Sequence, residues 1–302
     1  MNFIMITVFT PTYNRAHTLE RLYNSLCTQT SFDFEWLVID DGSTDETKAF
    51  FASIASSSFN IRYYYQTNGG KHRAINKGVA LARGEWFFIV DSDDYLPADS
   101  IETIKRYVGE INDDNRFCGI TGLRVHPDFT PIGNIVFDKP TDIDNLTFRI
   151  KYKGIGDYAE IFRTSVLKEY PFPEYEGEKF CTEALVWNRI ARKYVTRFVN
   201  AKIYICEYQV GGLTDTYEKI MRNSPRAAML YYKELLCLDG LPLRLRISFH
   251  LLYWNYRKSF KGELEHETAP TWKMKILFVF LNPMYKVWRK LKCLKNNIAQ
   301  YL

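Results

Sequence analysis

Along the first hundred residues, apolar positions come in short runs, and each run ends in a polar cluster. Met5–Thr10 predicts a buried strand, broken at Pro11-Thr12-Tyr13-Asn14-Arg15, and Leu19, Leu22 and Leu26 then recur at helical spacing. Phe34–Asp40 predicts a second strand that ends in Asp40-Asp41-Gly42. Ser43 and Glu46 have the spacing of a capping box that opens a second helix. Ile61–Gln66 predicts a third strand, turned by Asn68-Gly69-Gly70. Lys71–Arg83 predicts a third helix, with Ile75, Val79 and Ala82 on one face. Trp86–Asp91 predicts a fourth strand, and Pro97 and Asp99 open a fourth helix.

Such alternation predicts an α/β fold, a mostly parallel sheet with helices on both faces. Ligands bind such sheets at the C-terminal ends of their strands. Thr10–Arg15, Asp40–Asp41 and Asp91–Asp94 all fall at such ends. Beyond Asn112 the pattern is less regular. Cys118–Val125, Asp157–Phe162 and Ile203–Tyr208 predict strands, Glu183–Lys193 predicts a helix, and the chain is helical from Tyr217. The division expected is an α/β domain over 1–215 and a helical, basic extension over 216–302.

Charge adds one feature. The net charge is +5, but Leu241–Leu302 holds twelve Lys and Arg against three Glu, so the rest of the chain is net negative. Within that tail, Met284, Val287, Trp288, Leu291 and Leu294 recur at helical spacing, with Lys286, Arg289, Lys290, Lys292 and Lys295 between them. The pattern predicts a helix lying on an anionic membrane surface, or one packed on the domain or a partner. No apolar run reaches the roughly 18 residues of a membrane span. The N-terminus lacks the basic start and cleavage site of a secretory signal. The six cysteines form no C-x-x-C pair. A cytoplasmic protein, at most peripheral on the inner face of a membrane, is expected. Basic residues confined to one tail, without a reading motif, argue against nucleic acid.

The chemistry lies in the polar clusters. Asp91, Asp93 and Asp94 crowd three carboxylates into four positions. Like charges ~4 Å apart repel by about 4 kcal/mol at a surface dielectric, so solvent or a cation must offset them. Asp-x-Asp supplies hard oxygen ligands suited to Mg2+ or Mn2+, ions that complete their shell with water and substrate phosphate. Asp41 can accept a hydrogen bond from an imide N–H such as that of uracil, and Tyr13 offers a ring face for a base. Lys71, which follows two glycines at a helix start, would bring a cation to the same rim, and Arg15 either a second charge or a solvated side chain. The first loop, TPTYNR, has no glycine, which argues against dinucleotide and P-loop enzymes. No H-E-x-x-H or G-x-S-x-G occurs.

Taken in order, TPTYNR, VIDDGSTDET, NGGKHRAINKGVALARGEW and FFIVDSDDYLP resemble the motifs of family 2 glycosyltransferases with the GT-A fold. The resemblance covers roughly the first hundred residues. It implies a nucleotide-sugar donor, usually UDP-linked, a divalent cation (Mn2+ or Mg2+), and inverting transfer to a saccharide or lipid-linked saccharide, as in cell-surface polysaccharide synthesis. It also implies that Pro11, Tyr13, Asp41 and Lys71 hold the nucleotide, that Asp91 meets ribose or metal, and that Asp93 binds metal. The acidic general base implied at a later helix start matches Glu183. This chain has Glu183-Ala184 where the family commonly shows Glu-Asp, so Glu178 and Glu176 stay open beside it. Asp157–Glu160 is a candidate to face the acceptor, and Gly211–Thr214 to close over the donor. Two rivals remain, a sugar nucleotidyltransferase and a non-catalytic sugar-nucleotide-binding protein. The first is expected to carry a Gly-rich basic loop that TPTYNR lacks.

Overall fold

The structure, a computed structural model, describes residues 5–56, 58–207 and 213–260. The tail on which the membrane-surface expectation rests lies outside them, as do Gly211 and Gly212. In chain order the first elements are β1 (Ile6–Thr12), α1 (Ala16–Cys27), β2 (Phe34–Asp40), α2 (Thr47–Ser53), β3 (Asn60–Tyr65) and α3 (Lys71–Leu81). They are followed by β4 (Trp86–Ile89), α4 (Ser100–Gly109), β5 (Phe117–Val125), β6 (Thr141–Ile143), α5 (Asn145–Ile150), β7 (Tyr158–Arg163) and α6 (Thr164–Glu169). Last come α7 (Glu183–Ile190), β8 (Val195–Ile205), α8 (Leu213–Asn223), α9 (Pro225–Leu236) and α10 (Leu243–Ser259).

The described chain forms two compact units. The first comprises the residues up to Phe172 together with Val186–Glu207, and the second Pro173–Leu185 with α8, α9 and α10. In the first unit eight strands form one sheet in the order β3-β2-β1-β4-β7-β5-β8-β6. Strands β1 to β4 are mutually parallel, β7 is antiparallel to both β4 and β5, and β8 is parallel to β5. The C-terminal ends of β1, β2, β4, β5 and β8 therefore share one rim. The chain leaves β1 toward β2 and β3 on one side and returns to β4 on the other, which makes a switch point at that rim.

Alternation along β1, β2 and β4 builds both faces. Ile6, Val8, Trp36, Val38, Phe88 and Val90 pack with Leu19, Leu22 and Leu26 of α1 and with Ile101, Ile104 and Val108 of α4. On the opposite face α3 approaches β1 at Gly78, where a Cβ would stand 2.2 Å from the Phe9 ring. That close approach brings Lys71, the first residue of α3, to the rim.

Strand β1 runs through Pro11 to Thr12 rather than breaking at Pro11, and the ladder shows why. Phe9 O accepts from Val90 N on the β4 side (2.8 Å), and Thr12 O accepts from Asp41 N on the β2 side (2.8 Å). Pro11 shares the parity of Phe9, so its missing N–H faces the β4 side, where β4 has already ended at Ile89. No ladder bond is lost.

One buried ion pair anchors the β2–β3 edge. The fully buried Glu35 accepts from Thr7 Oγ1, Arg83 N and Arg62 Nη1, all at 2.8 Å. Glu35→Ala strands a guanidinium and two further donors, and should cost about 3–5 kcal/mol. Urea unfolding of the variant checks it; an unchanged midpoint would contradict this account of the edge.

Candidate active site

The first two rim loops are zipped together. Asn14, in the left-handed region (φ 52°), accepts from Thr44 N through Oδ1 (2.8 Å) and donates its own N–H to Ser43 Oγ (2.9 Å). Asp45 accepts from Ala16 N at the start of α1 (3.0 Å) and from Thr47 N at the start of α2 (3.1 Å). One carboxylate thus satisfies orphan donors of two helices. Burial opposes its charge, yet the Thr47 hydroxyl and these amides hold its carboxyl below the usual range. The expected Ser43–Glu46 capping box does not form, because Ser43 and Asp45 are drawn to the neighbouring loop. Glu46 precedes α2 without a side-chain cap.

Asp41 is buried and organises the third loop. Its Oδ1 accepts from Gln66 Nε2 (2.7 Å) and Gly69 N (2.9 Å), its Oδ2 from Gly70 N (2.7 Å), and its backbone O from Asn68 Nδ2 (2.9 Å). Gly42 (φ +90°) permits the approach, since a Cβ there would meet Asn68 N at 2.7 Å. A carboxylate oxygen has room for two donors, so Oδ2 keeps one acceptor position. Tyr13 stands 49% exposed beyond the end of β1. Pro11 lies in register with Ile39 of β2.

The aspartate loop after β4 is fixed residue by residue. Asp91 N donates to Tyr204 Oη (2.9 Å), and the Tyr204 hydroxyl donates to Asp94 Oδ2 (2.7 Å). Thr18 Oγ1 holds Ser92 O (2.8 Å), Arg21 Nη2 holds Asp93 O (2.5 Å), and Glu207 N reaches Asp94 Oδ1 (3.1 Å). Lys71 Nζ lies 2.6 Å from Asp91 Oδ1, Arg124 Nη1 3.7 Å from Asp91 Oδ2, and Arg15 Nε 3.8 Å from Asp93 Oδ2. The protein's own cations thus take up much of the carboxylate repulsion. Burial works against the Asp91 charge, but Lys71 and Arg124 more than offset it and lower its carboxyl. Asp93 is raised by burial and by the Asp91 charge. Asp94, more deeply set, is pushed up to about 7 by burial and then by Asp91. Tyr204 and Arg124 carried no signal in the sequence.

Asp93 fits a cation best. Its side chain is 27% exposed, and its raised carboxyl would gain from a positive charge. Among the described residues, no three His, Cys, Asp or Glu side chains group to hold an ion by themselves. The donor set is therefore Asp93, with Asp91 beside it. One or two carboxylates suit Mg2+ or Mn2+ completed by water and substrate phosphate.

The three acidic candidates for the base belong to the second unit or its edge. Glu183 is the first residue of α7 and half-buried. Glu176 is exposed. Glu178 is buried and accepts from Arg226 N (2.8 Å) and Ala227 N (3.0 Å), so its carboxylate serves the N-terminus of α9. That duty removes Glu178 from the candidates.

Comparison with known proteins agrees with the rim's construction. The model of the family described as glycosyl transferase family 2 matches residues 7–170, more than half of the chain. The chondroitin synthase of Pasteurella multocida is 33% identical over 132 residues, 43% of this chain and 13% of that protein. Glycosyltransferase GlyG of Streptococcus pneumoniae is 34% identical over 111 residues, 36% of this chain and 37% of that one. The chain thus spans well under two thirds of the length of these relatives. Among solved structures, S. aureus TarS superposes with a TM-score of 0.59 at 23% identity, covering 85% of this chain and 72% of that one, and is also known with UDP. The mannosyltransferase PcManGT of Pyrobaculum calidifontis, in complex with GDP-Man and Mn2+, gives 0.55 at 17% identity, covering 95% and 84%. At these identities the structural likeness shows the fold. With four motifs on one rim, a matching family model and the shared sheet, this chain belongs to glycosyl transferase family 2 and has the GT-A fold.

Proposed function

We propose that this chain transfers a sugar from a UDP-linked donor to a hydroxyl of a saccharide or lipid-linked saccharide, with inversion, in polysaccharide synthesis. The observation that carries it is the aspartate loop, pinned so that the Asp93 carboxylate stands partly open with Arg15 beside it and Lys71 close by. UDP and UDP-GlcNAc complexes of TarS, and the synthase relatives from Pasteurella, support that reading of donor and product class.

In this reading, Tyr13 stacks on the base, the open acceptor position of Asp41 Oδ2 takes the uracil imide N–H, and Pro11 shapes the pocket floor. Lys71 and Arg15 face the diphosphate. Asp93, with Asp91, would hold a Mn2+ or Mg2+ ion, which when bound neutralises charge on the departing diphosphate. The Glu183 carboxylate takes the acceptor proton while that oxygen forms its bond to the anomeric carbon. The bond from that carbon to the diphosphate oxygen breaks, and UDP carries the electron pair away. Attack from the face opposite the leaving group inverts the centre.

A thermal-shift screen of nucleoside diphosphates and nucleotide sugars, with and without Mn2+, tests the proposal, because a ligand bound only to the folded state raises its melting temperature. UDP and a UDP-sugar with Mn2+ should give the largest shifts. A flat response across all of them would overturn it.

A further inference from the structure

We infer that Tyr204, backed by Arg124, is a positioning residue that presets the aspartate loop for cation and diphosphate. This rests on the donor site proposed above. Both residues come from the other half of the sheet, near the C-terminal ends of β8 and β5, strands that carry none of the donor motifs.

Three observations converge. The Tyr204 hydroxyl bridges both ends of the loop, accepting from the Asp91 amide and donating to the Asp94 carboxylate. Its ring is fully buried and meets Phe88 edge-on at 6.1 Å, so the hydroxyl has little freedom to follow a moving loop. Arg124 lies over the ring, its guanidinium 4.2 Å from the centroid, and its Nε donates to Tyr158 O (2.9 Å). That fixed cation also faces Asp91 Oδ2. Tyr204 therefore fixes the backbone at Asp91 and the side chain at Asp94, leaving Asp93 between two anchored neighbours. A carboxylate that must meet an ion within tenths of an ångström gains from such support, as metal ligands generally do from the groups behind them.

Tyr204→Phe removes the hydroxyl and keeps the ring. Calorimetry of UDP binding, in Mn2+ and in EDTA, separates positioning from simple support of the fold. In the variant the Mn2+-dependent gain in UDP affinity should fall by about 10–100-fold, the usual scale for groups behind a metal ligand. The melting temperature should fall by only a few degrees, for the Asp91 amide and Asp94 oxygen left without this partner, and the affinity in EDTA should stay close to that of the parent. If Tyr204→Phe fails to fold, Arg124→Lys, which keeps a positive charge and gives up the guanidinium over the Tyr204 ring, reads the same quantity. An equal Mn2+ gain in parent and variant overturns this inference alone. No Mn2+ gain in the parent overturns the donor-site reading with it. A matching loss in Mn2+ and in EDTA would make Tyr204 a fold residue and contradict positioning.

Discussion

Glu183→Gln should cut turnover by at least about a hundredfold while leaving UDP affinity nearly unchanged. A sugar hydroxyl is a poor nucleophile, and a carboxylate that accepts its proton during attack is worth about 10²–10⁴ in rate. Glutamine keeps the shape and loses the basicity. Among the three acids left open by the sequence, Glu178 is committed to two amides of α9, and Glu183 alone starts a helix. Steady-state kinetics with a UDP-sugar and an acceptor would show the loss in kcat rather than in donor binding. Near-normal turnover would move the base to Glu176. The product should carry the anomeric configuration opposite to the donor's, readable by NMR; retention would require a covalent intermediate on a carboxylate instead.

Asp93→Ala should be as damaging for a different reason. The Asp93 side chain is more exposed than that of Asp91, which Lys71 and Arg124 already face, while Asp94 is buried and held by Tyr204. Loss of one group that stabilises developing charge typically costs about 10²–10³ in rate. Turnover should fall by that much, and excess Mn2+ should not restore it. The fold should hold, because the anchors of this loop run through the Asp93 carbonyl, the Ser92 carbonyl, the Asp91 amide and Asp94, all of which alanine at 93 preserves. Full activity in the variant would place the cation elsewhere or remove it from the reaction.

The parts of this site that could be read from the sequence are those built locally. Strand β2 ends at Asp40 because its apolar run ends there, and Lys71 starts α3 because two glycines precede an amphipathic stretch. Local reading failed where a distant group competed. Ser43 and Asp45 have partners 29 positions away, in the Asn14–Ala16 turn, and those contacts replaced the capping box. Pro11 sits inside a strand because the neighbouring strand stops two residues short of needing its N–H. Arg124 and Tyr204 were invisible for the same reason. The Tyr204 hydroxyl meets Asp91 across 113 positions, and no periodicity encodes that meeting. Glu178 stood as an alternative for the base, whereas its carboxylate is taken up by a helix start 48 positions on.

The most direct test of the account is the affinity of the parent protein for UDP, measured by calorimetry in Mn2+ and again in EDTA. If Asp93 holds a cation against the donor diphosphate, as proposed, binding is clearly tighter with the metal. Equal affinity in the two buffers would contradict it.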